Sequence, residues 1–302
     1  MPKSTLQQRD RIHLPTLWLS GCAALFFCSV CLAQTANHAP LIPISIIIDD
    51  LGDLQKNGLR AIQLPGNVTY AVIPYTPHSQ SLARAAHRLG KEVMVHMPME
   101  SMDDRGLGRG GLRMEMAEQE FKQTLKAGIA AIPYASGLNN HMGSLLTRHP
   151  GHMQWLMDIL NKNGQLYFID SRTTAQTVAL QLAQENRIPS RQRDIFLDND
   201  PSPAAVAHQF KRLVAQAKKM GAAIAIGHPH DATLALLERQ IPQLETLGLK
   251  LVPVSELLNP VTQPEQPQTV TSEQDNPDHL ITQLINNNHT PVSGHRLNKA
   301  TP

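Results

Sequence analysis

Short apolar runs alternate with helix-like segments from residue 44 to residue 253, and this alternation constrains the fold more than any other feature of the chain. Eight runs read as strands, at 44–50, 68–74, 92–97, 129–133, 166–170, 195–198, 222–228 and 249–253. The segments 54–64, 79–89, 117–127, 153–163, 174–185, 203–220 and 233–247 read as helices; in the last, Leu234, Leu237, Ile241 and Leu244 recur at helical spacing. Gly90, Gly128, Gly164, Gly221 and Gly248 each follow a helix and precede a strand, where a left-handed C-cap is wanted. Regular strand-then-helix succession implies parallel strands joined by right-handed crossovers. The predicted fold is therefore α/β, a distorted β/α barrel of about seven or eight mostly parallel strands. An open doubly wound sheet is the alternative, because strand number does not decide closure.

The ends of these runs carry the chemistry. Ile44-Ser45-Ile46-Ile47-Ile48 stops at Asp49-Asp50, Val93-Met94-Val95 at His96, and Ala223-Ile224-Ala225-Ile226-Gly227 at His228. Parallel strands are buried on both faces, and ligands bind outside their carboxyl ends. Titratable groups placed there converge in space while remaining distant in sequence, as in an enzyme.

Asp49-Asp50 is the sharpest of these signals. Neighbouring side chains on a strand point to opposite faces, but where the chain turns two carboxylates can serve one pocket, one holding a cation and the other taking a proton. A helix N-cap is the structural alternative. His96 is followed four residues later by Glu100, and His141 follows Asn139-Asn140 in an expected loop whose Gly137 and Gly143 permit close backbone approach. Two histidines and an aspartate suit Zn²⁺ or a similar divalent ion, with positions left for water and substrate. Asp170-Ser171-Arg172 ends the fifth strand and Asp198 the sixth. Arg172 is a candidate for binding a carboxylate or anionic substrate, Asp170 and Asp198 for fixing a histidine tautomer, and Asn140 for substrate binding or ligand support. Rim salt bridges are the alternative for this group. His228, after a wholly apolar strand, is a candidate proton donor.

Composition narrows the class. A formal net charge of +2 and scattered basic residues exclude a nucleic-acid partner. Lys3, Arg9 and Arg11 precede an apolar stretch over 17–32 that closes on Cys31-Leu32-Ala33, the pattern of a secretory signal peptide cleaved after Ala33; an uncleaved anchor is the alternative. Cys22 lies too early in the apolar stretch for a lipoprotein box. All 3 cysteines, Cys22, Cys28 and Cys31, fall inside this segment, so the mature protein relies on neither disulfides nor thiolates, and a metal must be held by histidine and carboxylate. An exported domain without disulfides and with few aromatics fits the bacterial periplasm, with no stable membrane insertion after cleavage. The expected organisation is a signal peptide at 1–33, a linker at 34–43, the barrel at 44–258 and a disordered tail at 259–302 rich in Pro, Gln, Asn and Thr. The segment 101–114, with Gly106, Gly108, Gly110 and Gly111, reads as a flexible loop over the site, either a substrate lid or a long connection.

The Ile48-Asp49-Asp50 strand end, His96-Met97-Pro98-Met99-Glu100, Asn139-Asn140-His141-Met142-Gly143-Ser144, Phe168-Ile169-Asp170-Ser171-Arg172-Thr173 and Ile226-Gly227-His228 together resemble the divergent polysaccharide deacetylase family over residues 44–258. The resemblance implies a distorted β/α barrel related to carbohydrate esterases that remove N- or O-acetyl groups from glycans with a divalent metal. It also implies that Asp49 is the base, Asp50 and His96 metal ligands, and His228 the acid. Ordinary relatives carry a second metal histidine four residues after the first, where this chain has Glu100. Either Glu100 binds or His141 completes the site, and His141 is preferred because its neighbouring asparagines and glycines suit a site better than packing.

The leading expectation is metal-dependent deacetylation of a cell-envelope polysaccharide. A non-catalytic glycan-binding or regulatory envelope protein is the second reading. A metal-free glycoside hydrolase using two carboxylates is a third, against which the histidines argue.

Overall fold

The computed structural model describes residues 40–103, 105–162 and 166–258. The expected leader and tail, most of the expected linker and Gly164 lie outside the described residues. The chain runs β1 (Ile42–Leu51), α1 (Gln55–Ile62), β2 (Thr69–Val72), α2 (Ser79–Arg88), β3 (Glu92–Met99), α3 (Glu118–Ala131), β4 (Ala135–Met142), α4 (Pro150–Lys162) and β5 (Tyr167–Asp170). It continues through α5 (Ala179–Glu185), β6 (Ser190–Gln192), β7 (Ile195–Phe196), α6 (Pro203–Met220), β8 (Ala223–Gly227), α7 (Asp231–Gln240), β9 (Leu249–Leu251) and α8 (Val254–Leu258). Local chemistry sets several of these bounds. In α6 the Ser202 hydroxyl accepts from Ala205 N, Pro203 opens the helix, and Gly221 closes it at φ +80°.

All pairings are parallel, in the order β6-β5-β4-β3-β2-β1-β8-β7, with β9 against the start of β1. β6 and β7 lie at opposite edges of this order yet are separated in sequence only by Arg193 and Asp194. Arg193 N donates to Asp170 O on the β5 side, and Asp194 N donates to Ile224 O on the β8 side, each at 2.9 Å. One bent segment thus joins the two edges, and the sheet is a distorted barrel instead of an open doubly wound one.

Strand parity sorts the core. Ile44, Ile46 and Ile48 of β1, Val93, Val95 and Met97 of β3, and Phe168 of β5 pack in the layer shared with the helices. The opposite parity faces inward, where Ile47, Ala71, Met94, Tyr167, Ile169, Ile224 and Ile226 form a second cluster with Val254 of α8. Gly137 of β4 lets the Tyr167 ring lie flat inside: a Cβ there would stand 2.2 Å from Tyr167 Cε2. α8 closes the amino end of the barrel, its first amides donating to Thr69 Oγ1 (Val254 N, 3.1 Å) and Glu92 Oε2 (Ser255 N, 3.4 Å). The open end is therefore the carboxyl end.

Two sequence expectations are corrected. The fourth strand is Ala135–Met142, not 129–133: α3 continues to Ala131, placing Gly128 inside the helix, where the Met97 side chain packs within 2.9 Å of the position a Cβ would take. Ile129, Ala130 and Ala131 simply extend an amphipathic helix, and the true strand, ASGLNNHM, has no apolar run to announce it. The sixth run, 195–198, is shortened to β7, and β6 before the bend is an additional strand outside the eight sequence runs.

Candidate active site

Inward parity delivers Asp49 from β1, His96 from β3, Asn139 and His141 from β4, and His228 just past β8 to the open end of the barrel. There a cavity of about 420 Å³ is lined by Asp49, Asp50, His96, His141, Arg193 and His228 among others. Asp50 breaks the parity rule. The β1–β2 register shifts after Ile48, and Asp50 adopts φ +58°, so both carboxylates of the pair face the same cavity. Met142 (φ +53°) and Arg172 (φ +54°) also hold left-handed conformations, at the ends of β4 and β5. Such backbone strain at three strand ends around one cavity is characteristic of a functional site.

Asn139 is buried between two of these groups. Its Nδ2 donates to Asp49 Oδ1 at 2.8 Å, so its Oδ1 must face His96 Nδ1, 2.7 Å away. His96 therefore donates from Nδ1, which turns Nε2 into the site; burial lowers its pKa, but the facing Asp49 and Asp50 outweigh that and raise it, so Nε2 is free of its proton only where a cation takes the proton's place. Nε2 lies 3.1 Å from Asp50 Oδ1 and 3.1 Å from His141 Nδ1, and that nitrogen is 2.8 Å from Asp50 Oδ1. These ligand atoms lie within 4.8 Å of one another, and Asp50 Oδ1, itself shielded from solvent, faces both imidazole nitrogens. Two imidazole nitrogens and a carboxylate oxygen directed at one point fit a divalent cation in three-protein-ligand coordination. Glu100 is elsewhere. Its Oε2 accepts from Met114 N at 2.7 Å, and it holds the following loop instead of joining the ligands.

The flanking groups are tuned in different directions. Burial pushes the Asp49 carboxyl above its ordinary range, against the opposing pull of His96, His228 and Asn139. Burial would also raise Asp50, but the facing His141 and His96 outweigh it and hold the group far below the usual carboxylate range. Burial lowers His228, yet Asp198, Asp49 and Asp50 outweigh it and raise the imidazole to about 9. Asp198 lies behind His228: its Oδ1 is 2.9 Å from His228 Nδ1, and its Oδ2 accepts from His228 N and Thr233 Oγ1 at 2.7 Å each. With Nδ1 so engaged, His228 Nε2 faces the cavity, 3.7 Å from Asp50 Oδ2. Asp198, His228 and His230 also lie close enough to share an ion, but these hydrogen bonds already satisfy Asp198.

Asn140 lines the cavity, whereas Asp170 and Arg172 do not. Asp170 has the outward parity of Phe168. Its carboxylate accepts from Arg172 N and Thr177 Oγ1, each at 2.8 Å, shaping the β5–α5 turn without meeting a histidine. Burial raises its pKa. Arg172 is not part of the cavity wall; Arg193 occupies that position, donating from Nε to Ser171 O at 2.7 Å and from Nη2 to Arg172 O at 2.9 Å, with its guanidinium 4.7 Å from the centre of the Phe196 ring. Burial lowers the Arg193 pKa, and Asp49 opposes that shift. Asn140 lines the cavity, but its amide donates to Met142 O and accepts from Ser171 N, tying the ends of β4 and β5 together. The loop after β3 is tied back to the strand end by backbone hydrogen bonds. Glu100 N donates to Leu112 O and Leu112 N to Pro98 O, Leu107 and Leu112 are buried, and Ser101, Asp103 and Arg105 face the cavity.

The fold and these groups define a β/α-barrel protein with a histidine- and carboxylate-lined cavity at the carboxyl ends of its strands. The chain belongs to the divergent polysaccharide deacetylase family, which its residues 46–258 match. It is 36% identical over 242 residues to the protein YibQ of Escherichia coli K12, covering 80% of this chain and 73% of that one. It is 35% identical over 210 residues to an uncharacterized protein of Haemophilus influenzae Rd, covering 68% and 75%. The crystal structure of ATU2773 from Agrobacterium tumefaciens C58 shares the fold, with a TM-score of 0.69 at 24% identity over 72% of this chain and 90% of that one.

Proposed function

We propose that this protein removes acetyl groups from a cell-envelope polysaccharide in the periplasm, with a divalent cation, Zn²⁺ by the chemistry of its donors, held by Asp50, His96 and His141. The convergence of those three donor atoms between a buried carboxylate, Asp49, and a raised imidazole, His228, carries the reading. Membership of a deacetylase family supports the reaction, and the basic, apolar and small-residue succession ending at Ala33 supports export.

When bound, the cation supplies Lewis acidity toward the acetyl carbonyl and toward water. The remaining work falls to the chain. Asp49, held by Asn139, accepts a proton from the attacking water; its raised pKa makes it a stronger base than a solvated carboxylate, provided it is ionised. His228, oriented by Asp198, presents a protonated Nε2 to the departing amine or hydroxyl. The amide or ester C–N or C–O bond breaks as that proton is delivered, and acetate and the deacetylated sugar leave.

Acetate release from acetylated envelope glycans, measured on metal-free protein and after addition of Zn²⁺, Mn²⁺ or Co²⁺, tests this reading. Metal-dependent release is expected. Retained glycan binding with no release under any metal would establish the non-catalytic reading in its place.

A further inference from the structure

Ser171 holds a hydroxyl that the fold pins in place but does not use. It follows Asp170 at the end of β5 and takes the inward parity of Ile169, in the wall of the main cavity. The β4–β5 register pairs Asn139 with Ile169, and two residues further on it sets Ser171 beside His141. The β5–β6 register pairs Asp170 with Gln192, and one residue further on it sets Ser171 beside Arg193. The backbone of Ser171 is committed on both sides: its N–H donates to Asn140 Oδ1 at 2.9 Å, and its carbonyl accepts from Arg193 Nε at 2.7 Å. The side chain is not committed. Ser171 is only 5% exposed, and its buried Oγ has no hydrogen-bond partner among the described residues.

A buried hydroxyl left unpaired destabilises a fold, and alanine would occupy nearly the same space without that cost. This hydroxyl stands in the wall of the cavity between a proposed metal ligand, His141, and a guanidinium, Arg193. We propose that Ser171 donates its Oγ–H to the acetyl carbonyl oxygen as negative charge develops there, an assignment that rests on the deacetylase reading for its reaction. When the water oxygen bonds to the carbonyl carbon, the π electron pair of C=O moves onto the oxygen. Ser171 keeps its proton and meets this charge with a hydrogen bond. The pair returns to re-form C=O as the C–N or C–O bond breaks. Because Asn140 and Arg193 already fix the Ser171 backbone, the donor needs little reorganisation at the moment of reaction, which is what makes such a hydrogen bond effective.

Ser171→Ala is compared with the wild-type full chain, both loaded with Zn²⁺. Thermal melting and zinc content are recorded, methylphosphonate binding is titrated calorimetrically, and acetate release from N-acetylglucosamine oligomers is followed separately. Methylphosphonate presents tetrahedral oxyanions like those of the attacked acetyl group. Since Ser171 Oγ has no protein partner to lose, melting temperature and zinc content should stay at the wild-type level. Methylphosphonate affinity should fall roughly tenfold, the scale of one lost hydrogen bond. The fall in kcat should be roughly 100- to 1,000-fold with KM nearly unchanged, as for one lost oxyanion donor. Unchanged methylphosphonate affinity, unchanged kcat in an active enzyme, or losses accompanied by lower melting temperature or lost zinc would overturn the assignment. Wild-type acetate release in the variant leaves the deacetylase reading standing without Ser171. Weakened methylphosphonate binding by an intact, zinc-loaded variant, beside a wild type that releases no acetate, upholds the donor and overturns the deacetylase reading instead.

Discussion

Asn139 and His96 are joined by a 2.7 Å hydrogen bond whose direction is dictated by a third residue: because Asn139 must donate to the Asp49 carboxylate, it can only accept from His96. A buried amide thereby sets the tautomer of a proposed metal ligand and the position of the proposed base together.

Replacing Asn139 with Ala should accordingly weaken metal binding by roughly 10–100-fold, the usual cost of losing support behind a ligating histidine. The comparison is a competition titration of Zn²⁺ against a chelator, with melting of the metal-free variant recorded beside it. Unchanged affinity would show that His96 Nε2 is presented without Asn139.

His141 and Glu100 should separate cleanly. His141→Ala removes a donor atom 2.8 Å from Asp50 Oδ1 and is expected to lose the metal. Glu100→Ala should keep the metal and instead release the Met114 amide, costing about 1 kcal/mol and increasing proteolytic cleavage of the 100–114 lip. Elemental analysis with limited proteolysis decides; a metal-free Glu100→Ala protein beside a metal-replete His141→Ala protein reverses the assignment.

The same comparison shows what was legible in the sequence. Asp49, Asp50, His96 and His228 follow long apolar runs, so their place at the barrel mouth could be read directly. His141 was found through its neighbours, although it sits on a strand and not in a loop, because Gly137, Asn139 and Asn140 give β4 no apolar signature. Parity would have excluded Asp170, which falls on the outward face with Phe168, and selected Ser171. Arg193 had no local signal. It reaches the cavity only because the chain bends from β5 to β8 at that residue, a closure set by the whole sheet.

His228 and Asp198 make a prediction about pH. Asp198 and Asp49 keep the His228 imidazole charged above its ordinary range, so kcat/KM should fall on the alkaline side, at a pH below the value of about 9 that holds without a cation, because a cation beside Asp50 opposes the shift. The same shift contributes stability that is complete below the ordinary value of 6.5 and is lost as pH rises through about 9. Asp198→Asn removes the hydrogen-bonding anion and should move the alkaline limb toward neutrality. A pH profile of the metal-loaded variant with its limb unmoved would mean that another group supplies the proton.

Asp49→Asn gives the sharpest test of the division of labour. The amide is nearly the same size as the carboxylate, and its oxygen can still accept from Asn139 Nδ2, so the buried site has no reason to collapse. The three proposed ligand atoms belong to other residues, and metal content should stay near the wild-type level. What the amide lacks is basicity, and kcat should fall by roughly two to four orders of magnitude, the range of a positioned general base. Because Asp49 Oδ2 also lies 3.6 Å from His96 Nε2, the alternative is that it ligates the cation itself. Metal content and kcat measured on one preparation distinguish the two roles: loss of both assigns Asp49 to the metal, and loss of kcat alone assigns it to the proton.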